Sequence, residues 1–122
     1  MNIGILTFHR GPNYGGFLQA WHMREAIRSL GHEVTIINYQ TRAHFEAERL
    51  KCPALRRDAL KGFLLNFWKR RPFGAAVEGL CDSALQTDPA LVAWSGFDSV
   101  VVGADIVWDF SSRLFGFDPT FY

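Results

Sequence analysis

The stretch from Ile3 to Tyr39, IGILTFHRGPNYGGFLQAWHMREAIRSLGHEVTIINY, decides the fold. Ile3 to Phe8 is a nearly continuous apolar run bounded by turn residues, as expected of a strand buried on both faces of a parallel sheet. From Tyr14 to Leu30 the apolar positions fall at helical spacing: Phe17, Ala20, Trp21, Met23, Ile27 and Leu30 form a stripe, with Arg24, Glu25 and Arg28 toward water. Gly31 supplies the left-handed residue that commonly ends a helix. Val34 to Tyr39 is rich in β-branched and aromatic residues and makes a second buried strand. Strand, helix and strand at this spacing form a βαβ unit, with a right-handed crossover and parallel strands.

Working outward, Phe97 to Val102 (FDSVVV) repeats the strand pattern and ends in Gly103. Residues 42–92 read as helical pieces broken at Pro53, Gly62, Pro72-Phe73-Gly74 and Asp88-Pro89. The reading is a single α/β, Rossmann-like three-layer domain over residues 1–122, with the helical segment 42–92 inserted between the second and third strands. A chain of 122 residues with 48% hydrophobic and 15% aromatic residues can bury one real core.

The net charge of +1 hides an uneven distribution. Residues 42–71 carry nine Lys or Arg against Glu46, Glu48 and Asp58, so that stretch is net +6 and the remainder net −5. Near-neutrality overall, with no nucleic-acid reading motif, argues against nucleic acid as a partner. The segment DALKGFLLNFWKRRPF, residues 58–73, suits either a packed helix with solvated charges or a peripheral contact with an anionic membrane. Cys52 and Cys81 lack metal-ligand spacing and read as reduced thiols, so no metal is expected. The N-terminus MNIGILTF has neither the basic region nor the apolar length of a signal peptide, and no run approaches a membrane span. A cytoplasmic protein, peripheral at most to the membrane, is expected.

Ligands of open α/β sheets bind beyond the carboxyl ends of the strands. Three polar clusters should gather there: His9 to Gly16, Asn38 to Tyr39, and Gly103 to Asp109. The loop HRGPNYGG leads a helix N-terminus to that edge, where backbone N–H groups and the helix dipole suit a phosphate or carboxylate. Asn13 either caps the helix or offers its amide to a ligand, and Gly15 and Gly16 allow close backbone approach. His9 is either a plain loop residue or a group that handles a proton or an anion near neutral pH. Asp105 either caps a turn or accepts hydrogen bonds from a sugar hydroxyl. Trp108 either closes the core or stacks on a sugar ring.

The ordered motifs Phe8-His9, Asn13-Tyr14-Gly15, Leu18-Gln19-Ala20 and Gly31-His32-Glu33-Val34, then Gly103-Ala104-Asp105-Ile106-Val107-Trp108-Asp109 and Asp118-Pro119-Thr120-Phe121, resemble the N-terminal part of the polysaccharide pyruvyl transferase family. Ala104 and Ile106 stand where the family pattern has a serine and an amide. The resemblance implies transfer of pyruvate from phosphoenolpyruvate to a sugar as a ketal, with phosphoenolpyruvate as donor substrate and no further cofactor. It also implies two Rossmann-like domains facing a cleft, as in two-domain (GT-B-like) glycosyltransferases, so that this chain would be a truncated first half, inactive alone.

On that reading Asn13, Tyr14, Gly15, Gly16, Asp105 and Trp108 form the acceptor-side half-site and His9 is the candidate proton carrier. The acceptor would be a sugar nucleotide or a lipid-linked saccharide. A sheet left incomplete would expose an edge and favour self-association, unless a C-terminal domain covers it. Two alternatives stay open: a non-catalytic sugar- or nucleotide-binding α/β module, and half of a related glycosyltransferase.

Overall fold

A computed structural model describes residues 1–10, 14–50, 71–103 and 118–121, with backbone alone for 47–50. Among the described residues three parallel strands form the sheet in the order β2-β1-β3: β1 (Asn2–Thr7), β2 (Glu33–Ile36) and β3 (Ser99–Gly103). The central strand β1 is the most apolar, and its residues from Ile3 to Thr7 are all buried. Its register sets Ile5 beside Ile36 on one flank and beside Val101 on the other. With β2 on one side of β1 and β3 on the other, the strand order reverses at β1, as in a Rossmann-like α/β fold.

Helix α1 (Tyr14–Ser29) crosses between β1 and β2. Gly31 ends its exit at φ +85°, where a side chain would be strained, and its N–H bonds the Arg28 carbonyl at 2.9 Å. Helix α2 (Arg42–Leu50) follows β2, and helix α3 is described over residues 71–80. α3 runs unbroken through Pro72-Phe73-Gly74, where the sequence pattern suggested an interruption. Phe73, Val77 and Leu80, at helical spacing, are all buried, and that stripe outweighs the local breakers.

Alternation along the strands divides the core. One face carries Ile5, Val34 and Ile36 against Ala20 of α1 and Leu80 of α3, with Phe17, Met23 and Ile27 packed around them. The other carries Leu6, Ile37, Tyr39 and Phe121, with Phe8, Val92, Trp94 and Phe97 alongside. Among the described residues this second face is covered by 3-10 turns, Pro89–Leu91, Trp94–Gly96 and Pro119–Phe121. Gly4 belongs to it: a Cβ there would lie 2.8 Å from Ile37 Cδ1, so the strand needs a bare backbone for the layer to close.

The expected α1 stripe is narrower than its spacing suggested. Ala20 is fully buried, whereas Trp21 is 39% and Leu30 74% exposed. One residue turns the helix by about 100°, which carries Trp21 off a face centred on Ala20. Arg24, expected in water, is largely covered and donates to the Leu80 carbonyl at 3.2 Å, a cation closing the last turn of α3.

Candidate functional site

Every buried polar side chain among the described residues lies at or beyond the carboxyl ends of β1 and β2: Thr7, His9, Asn38, Gln40 and His44. A buried polar group is costly unless bonded, so this rim is where the fold invests in polar side chains rather than in packing alone.

His9 leaves β1 and folds back on it. Its ring Nδ1–H donates to the Thr7 carbonyl at 2.9 Å, which directs the Nε2 lone pair at Cys81 Sγ, 3.2 Å away. Burial, the largest influence, lowers the His9 pKa from 6.5, and the neighbouring Arg10 charge adds to the effect. Burial likewise pushes the Cys81 thiol up from 9.0 to about 11. Both shifts favour the same state, a neutral imidazole accepting from a neutral thiol. The pair has the composition of a nucleophilic dyad without the thiolate such chemistry needs.

Beside it, Arg10 Nη1 donates to Asn38 Oδ1 at 2.7 Å, and Nη2 to Glu78 Oε1 at 2.5 Å. Asn38 spends its amide nitrogen on the Ser83 carbonyl at 2.6 Å, and its own carbonyl accepts the Gln86 N–H at 2.8 Å. Asn38 therefore ties the segment leaving β1 to residues 83–86. Under the rim, on the turn-covered face, lies a cavity of about 190 Å³ lined in part by Thr35, Ile37, Asn38, Gln86 and Phe97.

α1 begins at Tyr14, a few residues past this cluster, and its first turn holds no acidic side chain. Tyr14 is 57% exposed, its ring set edge-on to Phe73 at 5.5 Å. The close approach at Gly16 is made by the protein itself: a Cβ would lie 2.6 Å from the Phe8 carbonyl oxygen. Gly15 sits in the same exposed first turn. Asn13, Asp105 and Trp108 lie outside the described residues. Strand β3 is described as far as Gly103, which pairs with Thr7 and is so crowded that a Cβ would lie 2.7 Å from Met23 Cε.

The Asp118-Pro119-Thr120-Phe121 element is an anchor. Phe121 is buried against Phe8, centroids 4.7 Å apart, and Tyr39 OH donates to Asp118 Oδ2 at 2.8 Å. Burial raises the Tyr39 phenol pKa to about 12, so this bond persists across ordinary pH. Among the described residues no three His, Cys, Asp or Glu side chains group as metal ligands, and no helix is long and apolar enough to cross a membrane.

The contacts of Glu78, Cys81 and Ser83 with this rim were not legible in the sequence. Their partners lie many tens of residues away with no motif linking them; the only local signal was the polar run Cys81-Asp82-Ser83 after a helical stripe.

A three-stranded parallel sheet with its described buried polar side chains collected at the carboxyl rim defines a Rossmann-like α/β domain. A family model, Polysaccharide pyruvyl transferase, matches residues 13–122, and the chain belongs to that family. No match was found among curated proteins or among solved structures.

Proposed function

We propose that the chain contributes the acceptor side of a pyruvyl transferase acting on a sugar of a polysaccharide or its precursor. In that reaction two sugar hydroxyls add to C2 of phosphoenolpyruvate and phosphate leaves. One hydroxyl proton ends on C3, making the methyl of the ketal, and the other on phosphate. The observation that carries this reading is the gathering of the buried polar residues at the carboxyl rim of the sheet, in a chain of this family.

In this reading Asn13 to Gly16 face an anionic or sugar group, Asp105 reads a hydroxyl, and Tyr14 and Trp108 form walls. Sugar nucleotides and lipid-linked saccharides suit the net-basic segment 42–71, which would also favour a peripheral contact with an anionic membrane from the cytoplasm. A second Rossmann-like domain would close the cleft in a GT-B-like arrangement and bring the arginines that a phosphate and a carboxylate together require. Without it the chain is inactive and self-associates along its sheet edge. His9 acts in this scheme as a neutral, buried hydrogen-bonding group. That assignment follows from its bond to Cys81 and its lowered pKa.

The test is phosphate release from phosphoenolpyruvate with candidate saccharide acceptors. Release is expected from the chain together with a second domain of the proposed kind, and none from the chain alone. No release from either, with retained saccharide binding, would replace transfer by a non-catalytic binding module. That second reading is favoured by the neutral His9–Cys81 pair and by the engagement of Arg10 with Glu78.

A further inference from the structure

Arg10 is built differently from the other described arginines. Arg42 pairs with Glu46 on the surface of α2, and Arg24 spends its head on a helix carbonyl and on Glu25. Like Arg24 it is largely covered, at 18% exposure, but its Nη1 is held by a side chain, Asn38, itself 2% exposed and anchored to the Ser83 carbonyl. The guanidinium plane is therefore preset from the protein side. Its outward Nη2 meets the Glu78 carboxylate, which stands on α3 with its side chain 59% exposed.

A covered guanidinium needs a counter-charge, and Glu78 provides one through a single contact from a solvated side chain. Such a partner contributes little, because solvent screens it and it gives up rotamer freedom to stay. An oxyanion presenting two oxygens to a preset fork makes a stronger, bidentate contact. We infer that Arg10 is an exchangeable oxyanion site, kept closed by Glu78 until a phosphate or carboxylate takes the place of that side chain. The inference deepens the acceptor-side reading, on which it rests only for the identity of the ligand bearing the anion.

The competition fixes the direction of every mutant effect. Removing the Glu78 charge opens the site and tightens anion binding. Replacing the fork by an ammonium keeps the charge but loses the second bond, so binding weakens. Asn38 reports the same geometry from the other side, since its loss frees the guanidinium to rotate.

The experiment is calorimetric titration of the full chain with inorganic phosphate and, separately, with acetate, at constant ionic strength. Glu78→Gln is expected to bind one or both about five-fold or more tightly than the parent, the lower end of coupling between competing sites. Adding Arg10→Lys to Glu78→Gln should remove that gain. Phosphate alone responding identifies a phosphoryl group, acetate alone a carboxylate, and both together the shared oxyanion chemistry. Unchanged affinity in Glu78→Gln, or a gain that survives Arg10→Lys, overturns the inference. Because Arg10 also supports Asn38, each variant is melted with and without phosphate. A folded Glu78→Gln chain that phosphate does not stabilise counts against the site equally. Anion binding that follows this pattern in a protein that transfers no pyruvate would leave the site standing and remove the transfer reading alone.

Discussion

The two ends of the central strand solve the same problem in opposite ways. At the amino end, Asn2 N–H donates to Asp98 Oδ2 at 2.7 Å, its side-chain amide reaches the Gly96 carbonyl at 2.6 Å, and Asp98 N–H returns a bond to the Asn2 carbonyl at 2.8 Å. These bonds are short-range in space, solvent-exposed and self-contained. At the carboxyl end, His9, Arg10 and Asn38 reach to α3 and to residues 81–86, and most of the atoms involved are covered. One end is a clasp. The other concentrates covered donors and acceptors in one place, as the proposed binding rim requires and a clasp does not.

The sharpest way to break this contrast is to remove one amide at each end. Asn38→Ala takes an acceptor from the largely covered Arg10 guanidinium and a donor from the Ser83 carbonyl, and should cost about 1–3 kcal/mol, most of it from the covered Arg10 donor. Asn2→Ala removes only the side-chain bond to the Gly96 carbonyl, which water can replace, and should cost about 0.5–1.5 kcal/mol. Urea unfolding measures both, and equal losses would erase the distinction.

Two groups at the carboxyl end, His9 and Cys81, make stability depend on pH. Folded, His9 stays neutral because burial lowers its pKa from 6.5; unfolded, it takes up a proton as pH falls through 6.5. Acid therefore favours the unfolded chain, and this contribution to stability, complete above 6.5, is lost between 6.5 and the lower folded value. Cys81 acts in the opposite sense: the unfolded thiol ionises above 9.0 while the folded one holds its proton to about 11, so stability declines as pH rises through that window. Unfolding midpoints in acidic, neutral and alkaline buffers should trace both limbs. His9→Phe should flatten the acid limb, whereas Asn2→Ala should leave both limbs in place. A smaller effect is kinetic: at neutral pH the native Cys81 thiol should react with iodoacetamide more slowly than the same residue in urea. Equal rates would mean that His9 holds a thiolate instead.

The frame of the fold was legible in the sequence because it rests on local signals. The apolar run of β1, the helical spacing to Ser29 and the glycine at position 31 each carry their own cause, and the structure places β1, α1 and β3 within a residue or two of their expected bounds. Where burial decides, the sequence was less informative. Trp21 and Leu30 fitted a stripe but not the width of a three-stranded sheet, and Pro72 and Gly74 suggested a break that Phe73 and Val77 overrule. The site divides the same way. His9, Arg10 and Asn38 follow from the rule that strand ends form the rim, whereas Glu78, Cys81 and Ser83 join them through packing of α3, which no spacing announces. At Gly16 the residue type pointed to a close approach and the fold supplied the partner, the Phe8 carbonyl.

The run from Ile36 to Tyr39 carries a constraint on length. Ile36 joins the helix-side core, Ile37 and Tyr39 join the turn-side core, and Asn38 between them reaches Arg10. Adding or deleting a single residue here would exchange the roles of alternate positions, swinging a phenol toward the guanidinium and an amide into hydrocarbon. Homologous chains should accordingly tolerate substitution in this tetrapeptide far better than any indel.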